Sequence, residues 1–339
     1  MRLYGGIDLH SNNSFTTLID QDDRAVFEKR MPNDLGVVLK GLEPFRDKIT
    51  GVVVESTYNW YWLVDGLMDA GYRVHLANTA AIKQYEGLKH TDDKSDARWL
   101  AHLLRLGILP EGYIYPKEER SVRDLLRKRM QLVHQKTSNI LSIKGQVARH
   151  LGGSIHSNHV KRLTEEAVDG FFPDECVSLA VKSNVAVMHC LDKRIKQIER
   201  ETKKRMKLRP EFKQLLTVDG IGSTLALTIS LETGDIRRFP KAGNYASYCR
   251  CVRSERTSNY KKKGQGNTRN GNKYLAWAYI EAAAFAIRWN ELARRFYQRK
   301  SSKTNKVVAR KALANKLARA CFYIMRDNVP FDERRIFAA

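Results

Sequence analysis

Two short apolar runs that each end in a carboxylate constrain this chain more than any other feature. Residues 3–9 read LYGGIDL and residues 51–55 read GVVVE. Apolar runs of this length are strand-forming. If the two strands are neighbours in one sheet, Asp8 and Glu55 emerge side by side. Residues 14–19 and 24–30 read as two more strands, joined across the polar break Gln21-Asp22-Asp23. Helical spacing runs over 34–47. A helix fits 58–70 and is broken by Gly71, a strand fits 72–76, and helices are expected at about 79–87 and 93–106. This order of elements predicts an α/β domain built on a mixed sheet.

The acids on these elements form a constellation. Asp93 and Asp96 sit three apart at the start of a predicted helix, so they share one of its faces. Asp92 competes with them, and the i, i+3 spacing favours Asp93 and Asp96. Gathering carboxylates costs Coulomb repulsion, which a hard divalent cation, Mg²⁺ or Mn²⁺, relieves. Such ions can activate a nucleophile and stabilise a leaving oxygen on a phosphodiester. Each acid alone reads as a turn former or a helix-start residue. His10 is expected to hydrogen-bond or pack near the acids, and Tyr58, Trp60 and Trp62 to pack in the core.

Charge is unevenly distributed. Residues 1–100 hold 12 Lys+Arg against 15 Asp+Glu, whereas the rest of the chain holds 48 against 22. That asymmetry calls for a polyanionic partner of the second part. The basic residues lie among small, polar and aromatic ones rather than along one amphipathic face, which favours nucleic acid over an anionic membrane. No apolar run is long enough to span a bilayer, and the opening MRLYGGIDLH reads as a strand rather than a signal peptide. Five scattered cysteines form no metal or disulfide pattern, so a reducing, cytoplasmic location is expected.

Three domains are expected: 1–110, 111–208 and 209–339. Two long helical patterns, from Ser121 to about His150 and over 177–207, suit an antiparallel coiled-coil arm. Gly220 and Gly222 sit in a turn between two helices, like a helix-hairpin-helix, whose amides can bind phosphate. Residues 276–298 and 306–326 read as helices, with Trp277, Tyr279, Phe285 and Trp289 in their core. Between them and the turn, residues 241–275 carry nine Lys+Arg and one acid, Glu255. Arg253, Arg256, Lys261, Lys262, Lys263, Arg269 and Lys273 are the candidate nucleic-acid contacts. Ser254, Thr257 and Ser258 are hydroxyls in this cationic setting. A serine needs a base, cation or metal to act as a nucleophile, and no Ser-His-Asp arrangement is nearby.

The segments GIDLH (6–10), VVVES (52–56), TDDKSDARWLA (91–101), TVDGIGSTLAL (217–227) and SNYKKKGQGNTRNGNKYL (258–275) together resemble the DEDD transposases of the insertion sequence 110 family, 1111 subgroup. The resemblance spans nearly the whole chain. It implies an RNase H-like (RuvC-like) mixed-sheet domain, a coiled-coil arm, and a mainly helical transposase domain. It implies that Asp8, Glu55, Asp93 and Asp96 hold Mg²⁺ or Mn²⁺. It also implies that Ser258, with Ser254 the alternative, forms a phosphoserine link to DNA, as in a RuvC-like serine recombinase. Ser258 is followed by Asn259 where the family usually has glycine, and Arg253 stands where proline is common. Donor and target DNA, a structured guide RNA and a homo-oligomer are the implied partners. A junction-resolving nuclease using water, and a non-catalytic nucleic-acid-binding protein, are the alternatives.

Overall fold

The computed structural model describes residues 1–82, 92–206, 210–265 and 270–337. The chain divides into two compact units, Met1–Lys117 and Glu118–Ala339.

In the first unit the strands are β1 (Leu3–Leu9), β2 (Asn13–Ile19) and β3 (Ala25–Pro32). Then come α1 (Leu35–Leu42), β4 (Ile49–Glu55), α2 (Tyr61–Asp69), β5 (Val74–Ala77) and α3 (Asp93–Arg105). The sheet order is β3-β2-β1-β4-β5. β1–β2 and β2–β3 are antiparallel, while β1–β4 and β4–β5 are parallel, so the sheet is mixed as expected. The 34–47 pattern becomes α1 followed by a tighter 3-10 turn over Glu43–Lys48, where Pro44 cannot continue α1's hydrogen bonding. A helix from 79 is not found as far as residue 82, and the rest of that expectation lies outside the described residues.

Side-chain alternation sorts the two central strands. Leu3, Ile7 and Leu9 of β1, with Val52 and Val54 of β4, join a core containing Val38, Leu42, Leu63 and Leu67 of α1 and α2. Their period-2 neighbours therefore face the opposite side. There Val53 packs with Leu100 of α3. Gly6, Asp8 and Glu55 belong to that same face. Gly6 is needed there: a Cβ on it would sit 2.0 Å from the Ala97 carbonyl oxygen and 2.8 Å from the Ala101 nitrogen. Only glycine lets α3 approach β1 this closely. Trp60 and Trp62 pack in or against the core as expected, but Tyr58 does not: it is 83% exposed.

In the second unit, α4 (Lys117–Leu151) and α7 (Glu175–Met206) are the long helices, with the short α5 (Ser157–Val160) and α6 (Glu165–Asp169) between them. They run antiparallel: Arg129 pairs with Glu199 and Lys136 with Asp192, and Ile140, Ile143 and Val147 share a cluster with Val181, Val185 and Met188. The start of α4 belongs to a different core, in which Val122 and Leu126 join α8 (Pro210–Leu215) and α9 (Ser223–Thr233). Leu225 through Thr233 are buried without exception, which makes α9 a central helix. There follow α10 (Ala242–Tyr248) and a hairpin of β6 (Arg256–Ser258) and β7 (Lys261–Gly264). The chain closes with α11 (Lys273–Trp289), α12 (Glu291–Lys303), α13 (Lys306–Asp327) and α14 (Glu333–Phe337).

Two expectations change here. The 276–298 pattern is split at Asn290, whose backbone is extended and whose side chain caps α12 by accepting from the Ala293 amide. Asparagine at a cap satisfies an otherwise orphaned helix-end amide, so it favours the break. Phe285 and Trp289, expected in the core, are 42% and 76% exposed, whereas Tyr279 is fully buried.

Candidate active site

The register of β1 and β4 pairs Ile7 with Val54, so Asp8 and Glu55 come next to each other at the carboxyl ends of two adjacent parallel strands. α3 begins directly against this edge. Asp92 is its N-cap: its carboxylate accepts from the Ser95 amide, and the Ser95 hydroxyl accepts from the Asp92 amide, a reciprocal capping box. That employment sets Asp92 apart from Asp93 and Asp96, which follow on the first turn. Their negative charge is favoured at a helix N-terminus.

Asp8 is 4% exposed and its Oδ2 accepts no hydrogen bond. His10 Nε2 lies 3.2 Å from this oxygen and 3.0 Å from Asp93 Oδ1. One ring nitrogen carries one proton at most, and it is directed to Asp93. Arg30 completes the hold on Asp93 with a bond of 2.6 Å from Nη2 to Oδ2. The two partners depress the Asp93 pKa: the hydrogen bonds from His10 and Arg30 outweigh partial burial. Glu55 is pushed the other way, to about 7, by desolvation first and then by the hydrogen bond and charge of Asp8. Asp96 is also raised, by desolvation and then by repulsion from Asp8 and Asp93. Four carboxylates thus crowd one edge at a cost that a cation would remove.

The donor atoms suit a divalent ion. One oxygen each of Asp8 and Asp93 and one nitrogen of His10 lie within 4.8 Å of one another. The buried, unbonded Asp8 oxygen points to the same use. Mg²⁺ and Mn²⁺ prefer oxygen to imidazole, so His10 suits the role of hydrogen-bond donor orienting Asp93 better than that of ligand.

His10 is itself clamped. Its backbone carbonyl accepts from Asn33 Nδ2 at 3.0 Å and from Asn59 Nδ2 at 2.9 Å. The sequence reading gave Arg30, Asn33 and Asn59 no role. The signal for Arg30 was present in the hairpin register. Asp8 pairs with Phe15 and Phe15 with Arg30, so the three form a row across the sheet.

Within the second unit, Ser258 ends β6 at an exposed hairpin tip, opposite Lys261. The turn residues Asn259 and Tyr260 have φ of 48° and 58°. Two positive φ values make the mirror-image turn that matches strand twist. Asparagine tolerates this conformation better than most other non-glycine residues, which suits Asn259 after the serine. Arg253 and Lys262 both pair with Glu255, at 2.7 and 3.4 Å. Lys261, Lys263 and Lys273 are exposed, Arg256 lies on β6, and Arg269 is outside the described residues. Ser254 is half-buried. Gly220, at φ 96°, is turned into the core: a Cβ there would meet the Ala282 oxygen at 2.5 Å. Gly222, by contrast, has open space around it and precedes α9 with no side-chain cap.

An acid cluster at a sheet edge, joined in one chain to a strongly basic helical unit, suits a protein that acts on a polyanion. Comparison with known proteins makes this specific. Residues 5–151 match the DEDD transposase model of the IS110 type, and residues 213–298 match the transposase model of the IS116/IS110/IS902 family. The transposase for insertion sequence element IS1111A of Coxiella burnetii (strain RSA 493 / Nine Mile phase I) is 24% identical over 295 residues, covering 84% of this chain and 76% of that protein. Both models are of the IS110 type, so the chain carries two transposase domain signatures of that family, and they support a DNA transposase activity. These matches define the family and carry no information on a serine nucleophile. No helix among the described residues is long and apolar enough to cross a membrane.

Proposed function

We propose that this transposase cleaves and rejoins DNA strands with Asp8, Glu55, Asp93 and Asp96 as ligands of Mg²⁺ or Mn²⁺ and Ser258 as the nucleophile. The observation that carries the reading is the meeting of Asp8 and Glu55 on adjacent parallel strands with Asp93 and Asp96 on the helix laid across them. When bound, the ion would neutralise phosphate oxygens and lower the cost of a fifth oxygen at phosphorus.

The chain's own residues supply the rest. His10 and Arg30 hold Asp93 charged and oriented. The Ser258 oxygen bonds to phosphorus as the bridging oxygen of one strand leaves, and that oxygen takes up a proton to become the strand's terminal hydroxyl. The serine proton passes to a carboxylate. Reverse attack by a strand hydroxyl releases the serine and reseals DNA without an outside energy source, because the phosphoserine bond conserves the energy of the broken ester. Lys261, opposite Ser258, and the cations around it favour the phosphate's approach.

A guide RNA that pairs with donor and target DNA belongs to the same proposal, as does a homo-oligomer. Delegating sequence readout to base pairing suits a chain with a broad basic surface. The test is to trap the covalent intermediate on labelled DNA carrying the element's ends. Wild-type protein is expected to become covalently labelled, Ser254→Ala likewise, and Ser258→Ala to bind DNA without labelling. Labelling that survives Ser258→Ala removes that serine from the mechanism. Metal-dependent cutting with protein-free products means that water is the nucleophile.

A further inference from the structure

Outside the acid cluster and the serine hairpin, the second unit contains a cleft of about 590 Å³ between α4 and α11. Its walls include Lys128, Met130 and His134 of α4, and Lys273, Tyr274 and Trp277 of α11. The volume is of the order that takes a small organic ligand, roughly 300–1,000 Å³. Asp124 is the single acid along it.

Arg127, which lines the cleft, is anchored by a buried acid outside the lining. Glu232 of α9 is only 3% exposed. It accepts two hydrogen bonds from Arg127, at 2.6 Å from Nε and 2.7 Å from Nη2, and a third from Asn272 Nδ2 at 2.7 Å. Burying a carboxylate is costly, and this one is fully matched by a guanidinium and an amide. The result is a guanidinium fixed 4.7 Å from the centre of the Tyr274 ring. Asn272 meanwhile caps α11 by accepting from the Tyr274 and Leu275 amides, which fixes the backbone of the opposite wall.

Aromatic surface, rim cations and one acid are the chemistry of an unpaired strand. Its bases offer π faces and its phosphates offer charge. A duplex keeps its bases stacked inside and has no use for the aromatic groups. A peptide rich in acids would use the lysines but leave the rings idle. We infer that this cleft binds a single unpaired nucleic-acid strand, one base lying against Trp277 beside the Tyr274 ring that Arg127 and Lys273 cover, and the flanking phosphates on Lys128 and Lys273. The inference takes only its ligand class from the function proposed above.

The test uses the full chain in EDTA, so that binding is read without catalysis. Labelled 12-mers of oligo-dT and oligo-rU and a blunt duplex of equal length are titrated by fluorescence anisotropy over a range of salt. Tyr274→Leu is expected to weaken single-strand binding about tenfold or more and leave the duplex unchanged. Because Arg127 packs on Tyr274, thermal melts accompany that variant. Lys128→Gln, on the exposed rim, gives a second reading: the salt dependence of single-strand binding should fall by about 0.7 in slope. The dT and rU arms tell which kind of strand is preferred, and tighter binding of either over the duplex supports the cleft. Equal losses for single strand and duplex in Tyr274→Leu overturn the inference. So does unchanged single-strand binding in both variants, or competition by an oligoglutamate peptide as effective as that by dT. A Ser258→Ala protein that loses strand transfer while keeping these affinities leaves the cleft standing, so the two readings fail separately.

Discussion

Replacing Gly6 by alanine adds one methyl group at the place where α3 crosses β1, and it should disable the acid cluster without touching an acid. The new Cβ would lie 2.0 Å from the Ala97 carbonyl oxygen and 2.8 Å from the Ala101 nitrogen, both backbone atoms that cannot rotate away. Ordinary contact begins at 3.4 Å. α3 must therefore retreat by roughly 1 Å or more, because interiors packed at this density do not absorb a methyl group. Overpacking of this kind costs about 1–3 kcal/mol. Asp93 and Asp96 ride on the first turn of the displaced helix. Metal–ligand distances tolerate about 0.2 Å, and a misplacement of about 1 Å at a reacting centre can cost ~100-fold. The assay is Mn²⁺ titration with thermal melts run beside it. Gly5→Ala is the control: its Cβ would meet only side-chain carbons of Leu18 and Val52, at 3.1 Å and beyond, which can give. Mn²⁺ binding should fall at least tenfold in Gly6→Ala and stay near wild type in Gly5→Ala. Wild-type affinity in Gly6→Ala would refute the claim that close helix–sheet packing places the acids.

Three further outcomes are expected. In EDTA, stability of the first unit should fall as pH rises from about 5 to 8, because the folded pKa of Glu55 is raised to about 7 from an ordinary 4.5 and that of Asp96 is raised as well. A raised carboxylate favours folding below its ordinary range and loses that advantage as pH passes its folded value; calorimetry with and without Mg²⁺ should show the ion restoring most at pH 8, and a metal-free transition that does not fall by pH 8 would contradict this. Asp23→Ala should destabilise the same unit by about 1–3 kcal/mol in urea titration, since Asp23 accepts from Arg105 Nε at 2.7 Å and pairs with His102 Nδ1 at 2.9 Å, holding the far end of α3; a change under 0.5 kcal/mol would make the strap ornamental. Gly220→Ala should lower the melting temperature of the second unit by several degrees while Gly222→Ala does not, because only the former combines φ 96° with a clash at the Ala282 oxygen; equal melting with selective loss of DNA binding would instead make Gly220 a phosphate contact.

Much of the site was legible because it rests on local rules. Apolar strands ending in acids, read with period-2 alternation, place Asp8 and Glu55. Helical i, i+3 spacing places Asp93 and Asp96, and the capping role of Asp92 follows from its position before the helix. What could not be read depends on register and packing. Arg30 reaches Asp93 only because β3 pairs with β2 so that Arg30 falls opposite Phe15. The Glu232–Arg127–Asn272 network joins α9, α4 and the cap residue of α11, and no spacing in the chain announces it. Composition marked 241–275 only as strongly basic. The structure orders its middle as a hairpin, with Asn259 and Tyr260 at positive φ in the turn. Aromatic residues misled where helical spacing stood in for burial: Trp289 keeps the period of α11 yet is exposed.

The central claim is that four carboxylates from three separate segments of the chain bind one kind of divalent ion together. Electron paramagnetic resonance of Mn²⁺ titrated into the whole protein tests it, with Asp8→Asn, Glu55→Gln, Asp93→Asn and Asp96→Asn taken singly and Asp92→Asn as comparison. Each of the four should weaken binding tenfold or more, while Asp92→Asn, which alters only a helix cap, keeps wild-type affinity. Undiminished affinity in Asp8→Asn, or a loss in Asp92→Asn as large as in Asp96→Asn, would contradict it.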